Sequence, residues 1–469
     1  MKRFHSSLCA LLFVPFAGCS DAGLHVDGLD RGADDAAKRP PASARPGVPR
    51  GQVAAAPSAG RSTRHSTQDW PRFRGPGGNG ISIEQALPTK WSASENLVWK
   101  RALPGFGASS PIVVGDRVYV TCYSGYGLSK TSPGDPKRLR RHLVSLERKT
   151  GRIRWDRPVA HERPDHGYSG FLQLHGYASS TPVADGKRIY AYFGNWGLYA
   201  FDREGKQLWR FDCGRGTHGF GSGGSPVLHG DLVIVNAAIE GNALIAVNKT
   251  TGREEWRTER ITDSWSTPVI VKAAGRDEVV LPTRQGVMSF DARTGRTLWK
   301  WVSGNGSTYT CFSLVHHKGM LYGLPSYNGP VTAIRPGGSG DVSKSHTVWT
   351  SPHFRTTVVS PVLHNGYLYN PHDEGGYMAS IDAATGKEKK RVRARPGFGR
   401  LYASPLAADG KIYVVTRSRG TYVFKADAGM EQLAHNVISG DDGVFNASPV
   451  AHDGQLLLRS DKFLYCIGR

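Results

Sequence analysis

A chain of 469 residues with 60 Lys and Arg against 39 Asp and Glu carries a formal charge of +21. Aromatics at 10%, 58 Gly and only 5 Met weigh against long helices and favour short strands joined by tight turns. Several domains would fit this length, so internal repeats have to be sought before any boundary is drawn.

The N-terminus has the features of an export signal. Lys2, Arg3 and His5 make a basic start, and residues 8–16 form an apolar core too short to span a bilayer. The core ends in Phe16-Ala17-Gly18-Cys19, which resembles a bacterial lipobox with Phe16 in place of the usual Leu. That resemblance implies lipidation at Cys19 after removal of residues 1–18; an ordinary secretory signal with an incidental cysteine is the alternative. Ser20 stands where an Asp would imply retention at the inner membrane, so the expected location is the outer membrane, facing the periplasm. Residues 19–67 are rich in Ala, Pro, Gly and Arg with almost no aromatics, and they predict a disordered tether.

Signal and tether together hold only a small part of the charge, and about +17 belongs to residues 68–469. Such a domain attracts anionic lipid head groups, polyanionic glycans or acidic partners, unless the basic residues are merely scattered. No nucleic-acid motif accompanies the charge, and an exported protein does not meet nucleic acid. Cys122, Cys213, Cys311 and Cys466 remain after the signal and the lipid site, without CxxC or adjacent spacing. Isolated buried thiols are expected.

Two patterns alternate from residue 109 onward. The first is a small-residue stretch, a Pro, an apolar run, a tight turn and another strand. It occurs at Ser110-Pro111, Thr181-Pro182, Ser225-Pro226, Thr267-Pro268, Ser360-Pro361, Ser404-Pro405 and Ser448-Pro449, with a copy lacking Pro at Ser313-Leu314. The second is a strand ending in an acidic or amide residue, a turn with Gly, and a Trp four residues later, as in Gly151 with Trp155 or Gly252 with Trp256. Two hairpins per unit make one four-stranded blade. Successive copies lie 71, 44, 42, 46, 47, 44 and 44 residues apart, which predicts an all-β, eight-bladed propeller over 68–469. The long interval holds extra segments at 124–141 and 161–176. The last copy lacks its fourth strand, and Asn96-Leu97-Val98-Trp99-Lys100 has the pattern of that strand, which would close the ring. Seven blades plus a degenerate hairpin is the alternative.

The run from Gly197 through Asp202 and Gly205 to Trp209 resembles the tryptophan-docking repeat of pyrroloquinoline quinone (PQQ) propellers, as do the runs ending at Trp256 and Trp299. The pattern lapses after Gly386, where Lys390 replaces Trp, and after Gly429, where Leu433 does. The opening Asp69-Trp70-Pro71-Arg72-Phe73-Arg74-Gly75-Pro76, with Gly78-Asn79-Gly80, resembles the start of PQQ-like repeat lipoproteins of planctomycete-type bacteria, which are similar to the assembly lipoprotein BamB.

A quinoprotein dehydrogenase of this superfamily needs a catalytic Asp, a calcium held by oxygen ligands, and basic groups near the quinone; many members add an adjacent-cysteine disulfide. The chain has no such cysteine pair and is shorter than those enzymes. The resemblance therefore implies a non-catalytic, envelope-anchored propeller that binds protein partners and no cofactor. A PQQ-binding dehydrogenase, or a propeller for a small ligand or glycan, is the alternative. Residues 219–224 are Gly-rich but precede an inner strand, which removes a phosphate-loop reading. His166, His175 and His218 lie in neighbouring loops where a metal could be held, with loop packing as the simpler account. Segments leading into the inner strands converge at one channel mouth. They supply His175, Tyr177, His218, Asp263, Trp265, Tyr309, Arg400, Tyr402 and Asn446, which suit a sugar, peptide or planar ligand or else simply finish the blade tops.

Overall fold

The computed structural model describes residues 68–159, 163–302, 310–323, 330–351, 358–372 and 376–469. The expected signal, Cys19 and tether lie outside these residues, and so does Tyr309.

Among the described residues eight sheets form, each built on four antiparallel strands, which come from a single repeat in every blade but the last. Blade 1 comprises Ile112–Val114, Arg117–Ser124, Arg140–Glu147 and Ile153–Val159. Blades 2 to 7 follow over 183–211, 227–259, 269–301, 315–351, 362–393 and 406–436. Blade 8 joins Val450–His452, Gln455–Arg459 and Phe463–Ile467 to the N-terminal Leu97–Ala102. The result is an eight-bladed β-propeller. Blade 4 gains a short parallel fifth strand, Gly340–Asp341, lent by the long turn of blade 5.

Closure is by pairing of the two ends: Trp99 lies opposite Cys466 and Ala102 opposite Phe463. Arg459 pins the same junction from inside. Its Nη1 donates to Ser109 O at 2.7 Å and Ser109 Oγ at 2.5 Å, and its Nη2 to Thr121 O at 2.8 Å. Cys122, Cys213, Cys311 and Cys466 are free thiols, and all but Cys311 are buried.

The outer hairpins explain the second sequence pattern. The acidic or amide residue caps its own turn: Asp291 Oδ1 accepts from the Arg293 and Thr294 amides, both at 3.0 Å. The Gly that follows has no side chain because the previous blade's indole occupies that space. At Gly295, φ is +72° and a Cβ would stand 2.5 Å from the Trp256 ring. Each docked indole also donates across the junction, Trp99 to Arg148 O, Trp155 to Arg203 O, Trp209 to Lys249 O, Trp256 to Ala292 O and Trp349 to Ala383 O.

Trp299 departs from the pattern. Its Nε1 donates to Glu278 Oε2 in its own blade at 2.7 Å, and Trp301 crosses instead to Thr347 Oγ1. In blade 7 the strand register puts Ala434, not Leu433, at the docking position, because Val423 pairs with Ala434 across a one-residue bulge.

The segment before the first repeat runs across one end of the channel. Trp70 pairs with Val113 of blade 1, and Pro71 O accepts from Ala184 of blade 2. Arg74 then donates to Pro361 O of blade 6, Ile81 pairs with Ala407 of blade 7, and Glu84 accepts from Gly454 of blade 8. Blades 2 and 6 face each other across the ring, so residues 71–81 stopper the channel.

Candidate functional site

The recurring Ser/Thr before Pro forms a closed ring. Pro has no N–H and holds the preceding residue extended, which aims that residue's own amide sideways at the next blade. Ser110 N donates to Thr181 Oγ1 at 2.9 Å, Thr181 to Ser225 at 3.0 Å, Ser225 to Thr267 at 3.0 Å and Thr267 to Ser313 at 3.1 Å. Ser313 donates to Ser360 at 2.8 Å, Ser360 to Ser404 at 3.1 Å, Ser404 to Ser448 at 2.9 Å, and Ser448 back to Ser110 at 3.0 Å. Every amide is satisfied by a hydroxyl, one per blade. Each hydroxyl keeps its own proton, and among the described residues none of the eight protons goes to a protein acceptor.

Above this ring sits a cavity of about 350 Å³. The eight hydroxyl residues line it, Phe73 of the stopper forms part of its floor, and Phe171, His175, Phe220, Trp265, Cys311, Arg400, Tyr402 and Asn446 form its wall and rim. It is a cup, open at one end of the propeller.

Hydrogen bonds lock the rim. The short helical turn Gly170–Leu174 leans across the mouth, and Leu174 O accepts from Asn446 Nδ2 and Arg417 Nη1, both at 2.8 Å. Arg417 also reaches Asn446 Oδ1 at 2.7 Å and lies 4.5 Å over the Tyr402 ring. His175 Nε2 is 2.9 Å from Phe220 O, which can only accept, so Nε2 carries the proton and Nδ1 accepts from Ser179 Oγ at 2.6 Å. Burial pushes this imidazole down to about 4, so it is neutral at neutral pH. Trp265 Nε1 donates to Gly221 O at 2.7 Å, and its ring meets Phe220 at 5.3 Å and His218 at 5.0 Å.

Of the nine residues expected at the mouth, the structure brings His175, Trp265, Arg400, Tyr402 and Asn446 together on the cup wall. Three others sit elsewhere. Tyr177 turns into the blade 1 loops, where its ring meets Tyr123 at 5.4 Å and its hydroxyl donates to His166 O. His218 backs Trp265 from outside the lining, its Nδ1 accepting from the Phe220 amide. Asp263 pairs with Arg284 at 3.0 Å. Among the described residues no cluster of His, Cys, Asp and Glu is arranged to hold a metal.

The family model described as outer membrane protein assembly factor BamB matches residues 140–310, from the third strand of blade 1 to just past the end of blade 4. Among solved structures, BamB from Moraxella catarrhalis is similar, with a TM-score of 0.56 at 12% identity over 80% of this chain and 99% of that one. A europium-containing methanol dehydrogenase gives 0.59 at 12% identity, over 86% and 98% of the two chains. A quinohemoprotein alcohol dehydrogenase from Pseudomonas putida HK5 gives 0.58 at 12% identity, over 85% and 80%. The chain is a PQQ-like β-propeller. No curated protein matches it.

Does the cup of this PQQ-like propeller suit the quinone and calcium of the dehydrogenases it resembles in fold? That chemistry requires carboxylate oxygens for the calcium and a carboxylate base. The described lining contains no Asp or Glu, and its amide, Asn446, already has both side-chain atoms engaged. The donor set present does not fit the cofactor. Sequence reasoning missed Phe73, Phe171, Phe220 and the hydroxyl ring. The ring was visible as a repeated Ser/Thr-Pro signature, but a signature read one blade at a time does not show that each hydroxyl serves its neighbour.

Proposed function

We propose that this PQQ-like propeller is a non-catalytic binding protein of the cell envelope that takes a small ligand with a planar apolar body into its central cup. The observation that supports this reading is the cup itself: a cavity of about 350 Å³ with Phe171, Phe220, Trp265 and Tyr402 around it and no carboxylate in its described lining. Aromatic walls with a few placed polar groups are what small-ligand sites are made of.

The test is a thermal-shift screen of planar and sugar compounds against native protein and Tyr402→Ala. A ligand that binds only the folded state raises Tm, by more as its concentration exceeds Kd. Hits that stabilise native protein but not the variant support the cup; hits that stabilise both equally overturn it. PQQ with calcium belongs in the same screen, with neither a spectral change nor a shift in Tm expected. The envelope location rests on the lipobox at Cys19, and Cys19→Ser should release the protein from membranes.

A second reading is favoured by Phe171, which is 56% exposed on the lip of the mouth. An exposed aromatic there suits docking of an envelope protein, as the match to an assembly factor family suggests. A photocrosslinker at position 171 in intact envelopes should then give one discrete adduct, whereas the small-ligand reading expects none.

A further inference from the structure

Resting on the cup reading, we infer that the ligand is an organic carboxylate, with its planar body against the aromatic rim and its anionic end on the hydroxyl ring. Four features converge on this chemistry. The ring hydroxyls each accept a backbone N–H from the previous blade, so the group each has left to offer is a proton. A floor of O–H donors is complementary to acceptor oxygens.

The surroundings carry the matching charge. The described cup lining has Arg400 and no Asp or Glu, and Arg400 has no ion-pair partner among the described residues. His175 adds nothing, since both its nitrogens are engaged. Beneath the ring, Arg72 and Arg74 flank Phe73 on the stopper without an ion pair among the described residues. Arg74 is only 2% exposed, and its Nε and Nη1 have no protein partner. Its Nη2 donates to Pro361 O, directly after Ser360 of the ring. Burial lowers Arg72 to about 10 and Arg74 to about 9, so both stay charged at neutral pH. Buried positive charge without a counter-ion is costly, and a singly charged anion across the ring offsets it. A neutral hydroxyl floor with few cations suits one carboxylate better than a multiply charged phosphate.

The experiment is calorimetric titration of the full chain with 2-naphthoate and its neutral analogue 2-naphthalenemethanol. The expected result is at least tenfold tighter binding of naphthoate, an advantage that shrinks with added salt and in Arg400→Gln. Phe171→Ala, also an exposed side chain, should weaken both ligands and leave their ratio unchanged. Equal affinity for the two would overturn the carboxylate inference while leaving the cup reading standing. Naphthoate binding that neither variant weakens would place it elsewhere on the basic surface and overturn the inference too. If neither compound binds up to its solubility limit, both readings fall.

Discussion

At the inner rim every one of the eight blades contributes the same group, a hydroxyl that receives its neighbour's amide. At the outer rim the indole docks at five junctions, those made by Trp99, Trp155, Trp209, Trp256 and Trp349, and is replaced at three. Between blades 4 and 5 the longer turn takes over, with Trp301 bonded to Thr347. Between blades 6 and 7, Lys390 points outward and Ser380 Oγ donates to Ala428 O at 2.8 Å. At the junction of blades 7 and 8 the receiving blade has no outer hairpin turn, because its third and fourth strands come from opposite ends of the chain; Trp91 packs there, 6.3 Å from Tyr413.

The difference follows from where water can reach. The inner amides are buried, and one left unpaired costs about 1–3 kcal/mol with no solvent to make up the loss. Outer strands diverge toward the solvent, so a missing indole can be replaced by water, a lysine or a borrowed segment. Regularity is enforced at the axis and relaxed at the rim.

Mutations can break this comparison. The largest effect is expected from Trp256→Ala, which removes a buried indole and should cost about 3–5 kcal/mol in urea unfolding. Lys390→Ala at the equivalent undocked position should stay within about 0.5 kcal/mol, and equal costs for the two would sink the docking account. Arg459→Leu comes next, at about 2–3 kcal/mol, because Ser109 O and Thr121 O lose a charged donor. Ser225→Ala should cost about 1–2 kcal/mol by stranding the Thr181 amide. Ser225→Thr should keep nearly full stability, since Thr serves the same role at 181 and 267.

The smallest effect concerns the rim and pH. His175 has a folded pKa of about 4, below its ordinary value, so the unfolded chain takes up the proton first as pH falls. Its contribution is therefore complete above about pH 6.5 and is lost progressively toward pH 4. The stability advantage of native protein over His175→Gln should shrink across that window. An advantage that stays constant with pH would mean the imidazole is not buried neutral.

Much of the fold was legible because the repeat is local. A Ser/Thr-Pro strand, a capped turn and a Trp four residues after Gly each report on a single hairpin, and counting them along the chain counted the blades. Blade closure was legible too, since the strand around Trp99 carries the pattern missing after Cys466. The cup was legible only in part. Trp265, Tyr402 and Asn446 precede inner strands and so had to lie near the mouth. Whether a side chain there faces the channel depends on its neighbours: Tyr177 has the same placement in its repeat, yet Tyr123 and Tyr126 give it an apolar bed in blade 1.

Local sequence patterns set the architecture, the blade number, the closing strand and four of the five docking indoles, Trp99, Trp155, Trp209 and Trp256, because strand alternation and turn chemistry act over a few residues. The tertiary structure alone decided three other things: that the hydroxyls close into a ring, that residues 71–81 stopper the channel, and that Phe73, Phe171 and Phe220 meet around one cavity. Each of these joins residues from blades that are distant in the chain. The contacts form only when the ring closes, and no local pattern encodes which groups the axis will bring face to face.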